Sequence, residues 1–169
     1  KVLVLDPGMA FGTGTHATTA LCMRAIDEVL AAKPGLDVLD VGTGSGILAI
    51  AAKLLGAGRV VGTDNDAAAV KVAQENAELN KVSLELSDAT LDRVPGGPFP
   101  LVVANIMSHT LIDLAPLLVP HVVKGGRLLL SGILDFQGDD VERAYVAQGL
   151  VSRGRKAQGE WVLLAFDRA

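Results

Sequence analysis

The stretch Leu39-Asp40-Val41-Gly42-Thr43-Gly44-Ser45-Gly46 places three glycines at alternate positions, directly after a short apolar run. Glycines in that place let the backbone turn tightly and approach a ligand, beside the positive end of the helix that follows. The spacing argues against two familiar nucleotide loops. A dinucleotide fingerprint is G-x-G-x-x-G, and the third glycine here falls one residue early. A P-loop needs Gly-Lys followed by Ser or Thr, which the chain does not contain. Asp64 lies twenty residues past Gly44. A carboxylate there can accept hydrogen bonds from both vicinal hydroxyls of an adenosine ribose. The plainer alternative is a tight turn, with Asp64 as the N-cap of the next helix.

Two further places carry chemistry. Val102-Val103-Ala104-Asn105-Ile106-Met107 closes a strand candidate, and ligands of open parallel sheets bind outside the carboxyl ends of strands. Asn105 is placed there to meet a ligand or an incoming nucleophile, or else to cap the next helix. Near the N-terminus, residues 8–19 hold three glycines and four threonines, a polar loop rather than a core segment. Phe11 is a lone apolar ring among those glycines, which predicts a lid over a ligand. Thr18 and Thr19 stand at the start of a helix running to about Ala31, with an apolar face of Leu21, Ala25, Ile26, Val29 and Leu30.

The elements that must hold these residues alternate. Strand candidates are Val38–Val41, Arg59–Thr63, Leu84–Leu86, Leu101–Ala104, Arg127–Leu130, Val151–Arg155 and Glu160–Phe166. Helical patterns fall at 47–55, 67–80, 111–119 and 139–148. Pro116 and Pro120 are expected to interrupt or kink the third of these, and Gly125-Gly126 to turn into the fifth strand. Strand–helix alternation predicts an α/β fold: a doubly wound, mainly parallel sheet covered on both faces. The few residues around Gly159 are too short for a parallel crossover, so the last two strands must pair antiparallel.

With 169 residues, half of them hydrophobic and 20% charged, the chain is expected to form one domain with one core. A net charge of -4 argues against non-specific nucleic-acid binding, and scarce aromatics against a base-stacking platform. One cysteine and three histidines support neither an internal disulfide nor a zinc site. Apolar runs stay far below the roughly 20 residues of a membrane span. A cytoplasmic domain is the expectation.

The alternate-glycine loop with its following acid resembles the class I S-adenosylmethionine-dependent methyltransferases. DPGMAFGTGTHATT, then LDVGTGSGILAIAA, GTDND, VVANI, LSGIL and EWVLLAF are together similar to the PrmA family of ribosomal protein methyltransferases, along nearly the whole chain. The resemblance implies a Rossmann-like seven-stranded sheet with an antiparallel last strand. It implies S-adenosyl-L-methionine as cofactor, contacted by Thr19, Gly42, Asp64 and Asn105, with Gly44 in the same loop and Phe11 in the adjacent one. The implied substrate is the large-subunit ribosomal protein numbered eleven, methylated on lysine and N-terminal amines, with no direct nucleic-acid partner and no metal. On this reading residues 1–169 form one catalytic domain, 1–36 being lid loop and helix, without the family's separate N-terminal substrate-recognition domain.

Methyl transfer from a sulfonium is an in-line displacement, so the amine must present a lone pair. A free lysine near pKa 10.4 is neutral about once in 2,500 at pH 7, a cost of about 4.6 kcal/mol, against about 1 kcal/mol for an α-amine. Desolvating and aligning the amine is therefore the main task. Asn105, through its side chain and carbonyl, is the candidate positioning group, and no residue is a compelling general base. Three rivals are weighed. Nucleobase or glutamine-amide methyltransferases carry Asn/Asp-Pro-Pro-Tyr/Phe, whereas Asn105-Ile106-Met107-Ser108 lacks the prolines and the aromatic. The others are a non-catalytic adenosyl-ligand sensor and a nicotinamide oxidoreductase. Plainer roles suit the remaining singled-out residues. His16 is expected to anchor a loop, His109 and His121 to lie at surface or helix ends, and Cys22 and Trp161 to pack. Arg153, Arg155 and Lys156 are expected on a solvated strand edge.

Overall fold

The computed structural model describes residues 2–4 and 16–169. Seven strands form one sheet in the order β3-β2-β1-β4-β5-β7-β6. These are β1 Val38–Val41, β2 Val60–Thr63, β3 Glu85–Ser87, β4 Phe99–Asn105, β5 Val122–Leu134, β6 Leu150–Gln158 and β7 Trp161–Arg168. The pairs β1–β2, β1–β4, β2–β3 and β4–β5 are parallel. Strand β7 lies between β5 and β6 and runs antiparallel to both. Only Gly159 and Glu160 separate β6 from β7, a link that permits a hairpin and no crossover. The expected α/β architecture and its reversed last strand are both present.

Five helices cover the sheet: α1 Ala17–Ala32, α2 Ile47–Leu54, α3 Ala67–Leu79, α4 Ser108–Leu118 and α5 Gly138–Val146. Alternation along the strands divides the core into two layers. Leu39, Val102, Ala104, Leu128 and Leu130 face Leu111 and Leu118 of α4 and Tyr145 of α5. Val38, Leu101, Val103 and Leu129 face Leu21, Cys22 and Ile26 of α1 and Leu48 of α2. Each fully buried Leu or Ile contributes about 1.5–3 kcal/mol. The central strands β1 and β2 are buried throughout, as parallel strands covered on both faces must be.

Two expectations need correction. Gly125-Gly126 does not precede the fifth strand. Strand β5 already starts at Val122 and absorbs both glycines as an irregularity, its register to β4 shifting between the Phe99–Val122 and Leu101–Arg127 pairs. Gly126 is needed there, since a Cβ would stand 2.9 Å from the Val123 carbonyl oxygen. Helix α4 begins three residues earlier than its apolar pattern suggests and runs through Pro116 to Leu118. A 3-10 turn over Val119–His121 holding Pro120 follows directly, so the α-helix is interrupted at the second proline as expected and not at the first. Pro116 is tolerated so near the helix end because it removes a single intrahelical hydrogen bond.

Candidate functional site

The glycine loop joins β1 to α2 at the carboxyl edge of the sheet. It is fastened to β2 by the Thr43 amide, which donates to the Thr63 carbonyl at 2.8 Å, and closed on itself by the Gly46 amide donating to the Thr43 carbonyl at 2.8 Å. Gly42 has φ +72°, and a Cβ there would stand 2.6 Å from Ile106 Cγ2. Any side chain at this position must displace the turn that follows Asn105. Gly46 is the α2 N-cap at φ +83°, and an added Cβ would meet Ala73 of α3 at 3.0 Å. It therefore serves the packing of the two helices rather than an open face.

Asp64 directly follows β2 and is half-buried. Its Oδ2 accepts the Gly44 amide at 2.9 Å and its Oδ1 the Asp66 amide at 3.0 Å. The N-cap of α3 is Asp66, whose Oδ1 accepts the Ala68 amide at 2.9 Å. The capping alternative for Asp64 is thus taken by its neighbour. Asp64 is left clamped between loop and helix, each oxygen keeping lone-pair capacity beyond its one backbone bond.

Beneath the loop lies a buried polar knot that the sequence reading did not single out. Asp40, 2% exposed in an otherwise apolar strand, accepts the Thr43 hydroxyl at 2.8 Å on Oδ2 and the backbone amide of Ala49. It does from β1 what the α2 N-cap lacks, since Gly46 has no side chain to cap that helix. Burial pushes its carboxyl up to about 7; the Thr43 and Ala49 bonds pull it down, and the charge of Asp64 adds to the rise. Cys22 stands beside it, bonded to Ser131, whose hydroxyl donates to the Val162 carbonyl at 2.8 Å. Burial first, and then Asp40, push the Cys22 thiol far up. It stays protonated and acts as a small core residue, as expected. A carboxylate inside the Val38–Val41 run was the available signal for this knot.

Asn105 is the last residue of β4, half-buried and paired with Ser131 of β5. The N-cap of α4 is Met107, which makes no side-chain cap bond, so the capping role foreseen as an alternative does not fall to Asn105. The structure brings the glycine loop, Asp64 and Asn105 to one edge, with Gly42 against Ile106 as the point of contact. Thr19 is buried in the first turn of α1. Phe11 and the rest of residues 5–15, where the lid was expected, lie outside the described residues. The chain on either side of that stretch is anchored. Asn80 accepts the Val4 amide at 2.8 Å and donates to the Val4 carbonyl at 2.6 Å. His16 caps α1, bonds the Thr18 hydroxyl at 2.8 Å and packs edge-on against Trp161 at 4.7 Å, the anchoring role expected of it.

Of the other singled-out residues, His109 is exposed, and His121 bonds the Leu91 carbonyl at 2.6 Å. Arg153, Arg155 and Lys156 sit on edge strand β6 in ion pairs with Asp167, Asp139 and Glu28. A cavity of about 490 Å³ opens elsewhere, between α1 and strands β5–β7, its lining including Glu28, Lys33 and Arg127. It touches none of Gly42, Asp64 and Asn105.

A 3-2-1-4-5-7-6 sheet with a glycine loop after β1 and an acid after β2 defines the class I methyltransferase fold. Solved structures share it. One is the 16S rRNA N2 G1207 methyltransferase of Thermus thermophilus in complex with AdoMet and guanosine. It aligns at TM-score 0.76 and 21% identity, over 95% of this chain and 45% of that one, a likeness of fold alone. A nearer likeness is the ribosomal protein L11 methylase of Lactobacillus delbrueckii subsp. bulgaricus, with TM-score 0.91, 40% identity, and coverage of 99% and 86%. The family model for ribosomal protein L11 methyltransferase (PrmA) matches residues 1–169. The L11 methyltransferase of Myxococcus xanthus is 53% identical over 167 residues, covering 98% of this chain and 57% of the relative. The chain belongs to the ribosomal protein L11 methyltransferase family. It spans about half the length of the relatives it matches.

Proposed function

We propose that residues 1–169 are the catalytic domain of an S-adenosyl-L-methionine-dependent protein N-methyltransferase, acting on lysine ε-amines and the N-terminal α-amine of ribosomal protein L11. The observation that carries this reading is Asp64, tied to Gly44 across the loop and free of the helix cap. The residues suit the cofactor. The loop is held rigid where Gly42 packs against Ile106, and each Asp64 oxygen keeps acceptor capacity for a diol. Bound there, S-adenosylmethionine would supply an electrophilic methyl group on a sulfonium.

The chain's own part is binding and alignment. Asp64 holds the ribose end, and the α2 N-terminus lies behind the loop. Asn105 accepts hydrogen bonds from the incoming amine and turns its lone pair toward the methyl group. The neutral amine carries the cost of deprotonation, so the rate should rise with pH, most steeply for lysine. Thr19 and Phe11 belong to the cofactor side of the site, and the cytoplasm is its proper compartment.

The test is methylation of purified L11 by the full-length enzyme, read by intact mass and peptide mapping. Methyl groups on lysines and on the N-terminal residue are expected, and an N-acetylated substrate should lose only the latter. Asn105→Ala should lower kcat and also weaken cofactor affinity, since the same residue is assigned to both. Labelling confined to other side-chain types, or none, would overturn the reading.

A further inference from the structure

Two large apolar side chains stand in water at the edge of the sheet that carries Asn105. Met107 is 64% exposed and Phe136 80%. Met107 follows Asn105 by two residues and starts α4; Phe136 lies in the 3-10 turn Asp135–Gln137 that joins β5 to α5. Helices α4 and α5 pack side by side through Leu111 and Tyr145, whose hydroxyl donates to the Leu111 carbonyl at 2.7 Å. Both exposed residues follow the carboxyl ends of β4 and β5, which are parallel neighbours in the sheet. The backbones below them are in close contact, for the Ile106 amide donates to the Ser131 carbonyl at 3.2 Å, and a Cβ on Gly132 would stand 2.3 Å from the Ile106 carbonyl oxygen.

The charge around Phe136 is one-sided. Asp135, Asp139 and Asp140 lie within four residues of it in the chain, and the Asp135 amide donates to the Glu160 carbonyl at 2.8 Å, bringing the β6–β7 turn with Glu160 alongside. Arg155 pairs with Asp135, Asp139 and Glu142, and Arg143 with Asp140. Counted with Glu142, these five carboxylates outnumber the two guanidiniums by three. Exposed apolar anchors inside a polar rim mark a protein interface, and the sign of the rim selects a cationic partner.

We infer that Met107 and Phe136, with the acidic rim of the β5–α5 turn, form the docking lip for the lysine-bearing segment of the substrate protein. The inference rests on the amine-methylating function above. The apolar pair grips a hydrophobic residue beside the target amine. The carboxylates draw the protonated lysine toward the edge where Asn105 stands, before it loses its proton to solvent water and presents a lone pair. A ribosomal protein, built to neutralise phosphates, presents the basic surface that such a rim attracts.

The experiment uses the full-length enzyme and purified L11, with initial rates taken over a range of substrate and salt concentrations. Met107→Ser/Phe136→Ser should raise KM for L11 by about tenfold, leaving S-adenosylmethionine affinity and kcat at saturating substrate near wild type. Asp140→Asn/Glu160→Gln should flatten the rise of that KM with salt. Unchanged KM in both variants, with the wild type active, overturns the lip and spares the functional reading. So does an unchanged KM with an altered oligomeric state in the serine variant, which would assign the apolar pair to a second copy of the chain. A wild-type enzyme that leaves L11 unmethylated overturns both.

Discussion

Around Gly42–Gly46 and Asp64 the polar groups are consumed internally. The Thr43 amide goes to β2, the Gly44 and Asp66 amides to the two oxygens of Asp64, and the Thr43 hydroxyl to buried Asp40. Around Asn105, Met107 and Phe136 the opposite holds: α4 has no side-chain cap, and large apolar side chains stand in solvent. A loop locked by its own hydrogen bonds suits a small ligand, because little ordering of the protein remains to oppose binding. An open, apolar and acidic margin suits a macromolecular partner that brings its own surface. The two halves meet where Gly42 abuts Ile106, so one substitution there strikes both.

That junction is the place to break the contrast. Gly42→Val adds a branched side chain at φ +72°, where Ile106 leaves no room. It should destabilise the fold on the order of 3 kcal/mol and abolish cofactor binding, measured by denaturant unfolding and titration calorimetry. Wild-type values for both would mean that the loop is merely a turn. Within the locked half, Asp64→Ala should weaken S-adenosylmethionine binding by about 2–3 kcal/mol while the protein stays folded, and Asp64→Asn by less. Equal affinities across the three proteins would remove Asp64 from the ribose site.

Asp40 sharpens the comparison through pH. Folding raises its pKa from 3.8 to about 7. Between those values the folded state keeps a proton that the unfolded chain has released. The stabilising difference is complete below 3.8 and lost as pH rises through about 7. Asp40→Asn cannot titrate, so its unfolding free energy should lack the fall that wild type shows across that window. Parallel curves for the two proteins would dismiss the effect. The smallest change belongs to the opposite face of the sheet. Tyr145→Phe removes the bond to the Leu111 carbonyl and should cost about 1 kcal/mol of stability, with cofactor affinity unchanged.

What could be read from sequence was what is local or periodic. Val38–Val41 and Val60–Thr63 are mainly apolar because they are buried on both faces, and the link at Gly159 is too short for anything but a hairpin. The glycine spacing and the acid twenty residues on are likewise local signals, and Gly44 bonded to Asp64 is their three-dimensional counterpart. Less legible was any role set by a contact across the chain. Gly125-Gly126 reads as a turn, yet the Phe99–Val122 and Leu101–Arg127 pairs with β4 bracket it inside a strand. Asp64 reads in sequence as a ligand or else as a helix cap, and only the fold shows that Asp66 takes the cap while Asp64 turns to the Gly44 amide.

By itself, then, the sequence determined the alternation of elements, the reversal of the last strand, the ligand loop and its family. The first three follow from side-chain periodicity, chain reach over a few residues and glycine stereochemistry, and the family from the motifs the chain resembles. Tertiary structure alone decided that Asp40 is buried and titrates high, that Asn105 caps nothing, and that Met107 and Phe136 follow the ends of neighbouring strands beside a surplus of carboxylates. Desolvation, hydrogen-bond partnership and exposure depend on groups distant in the chain, and only the folded sheet sets which of them are near.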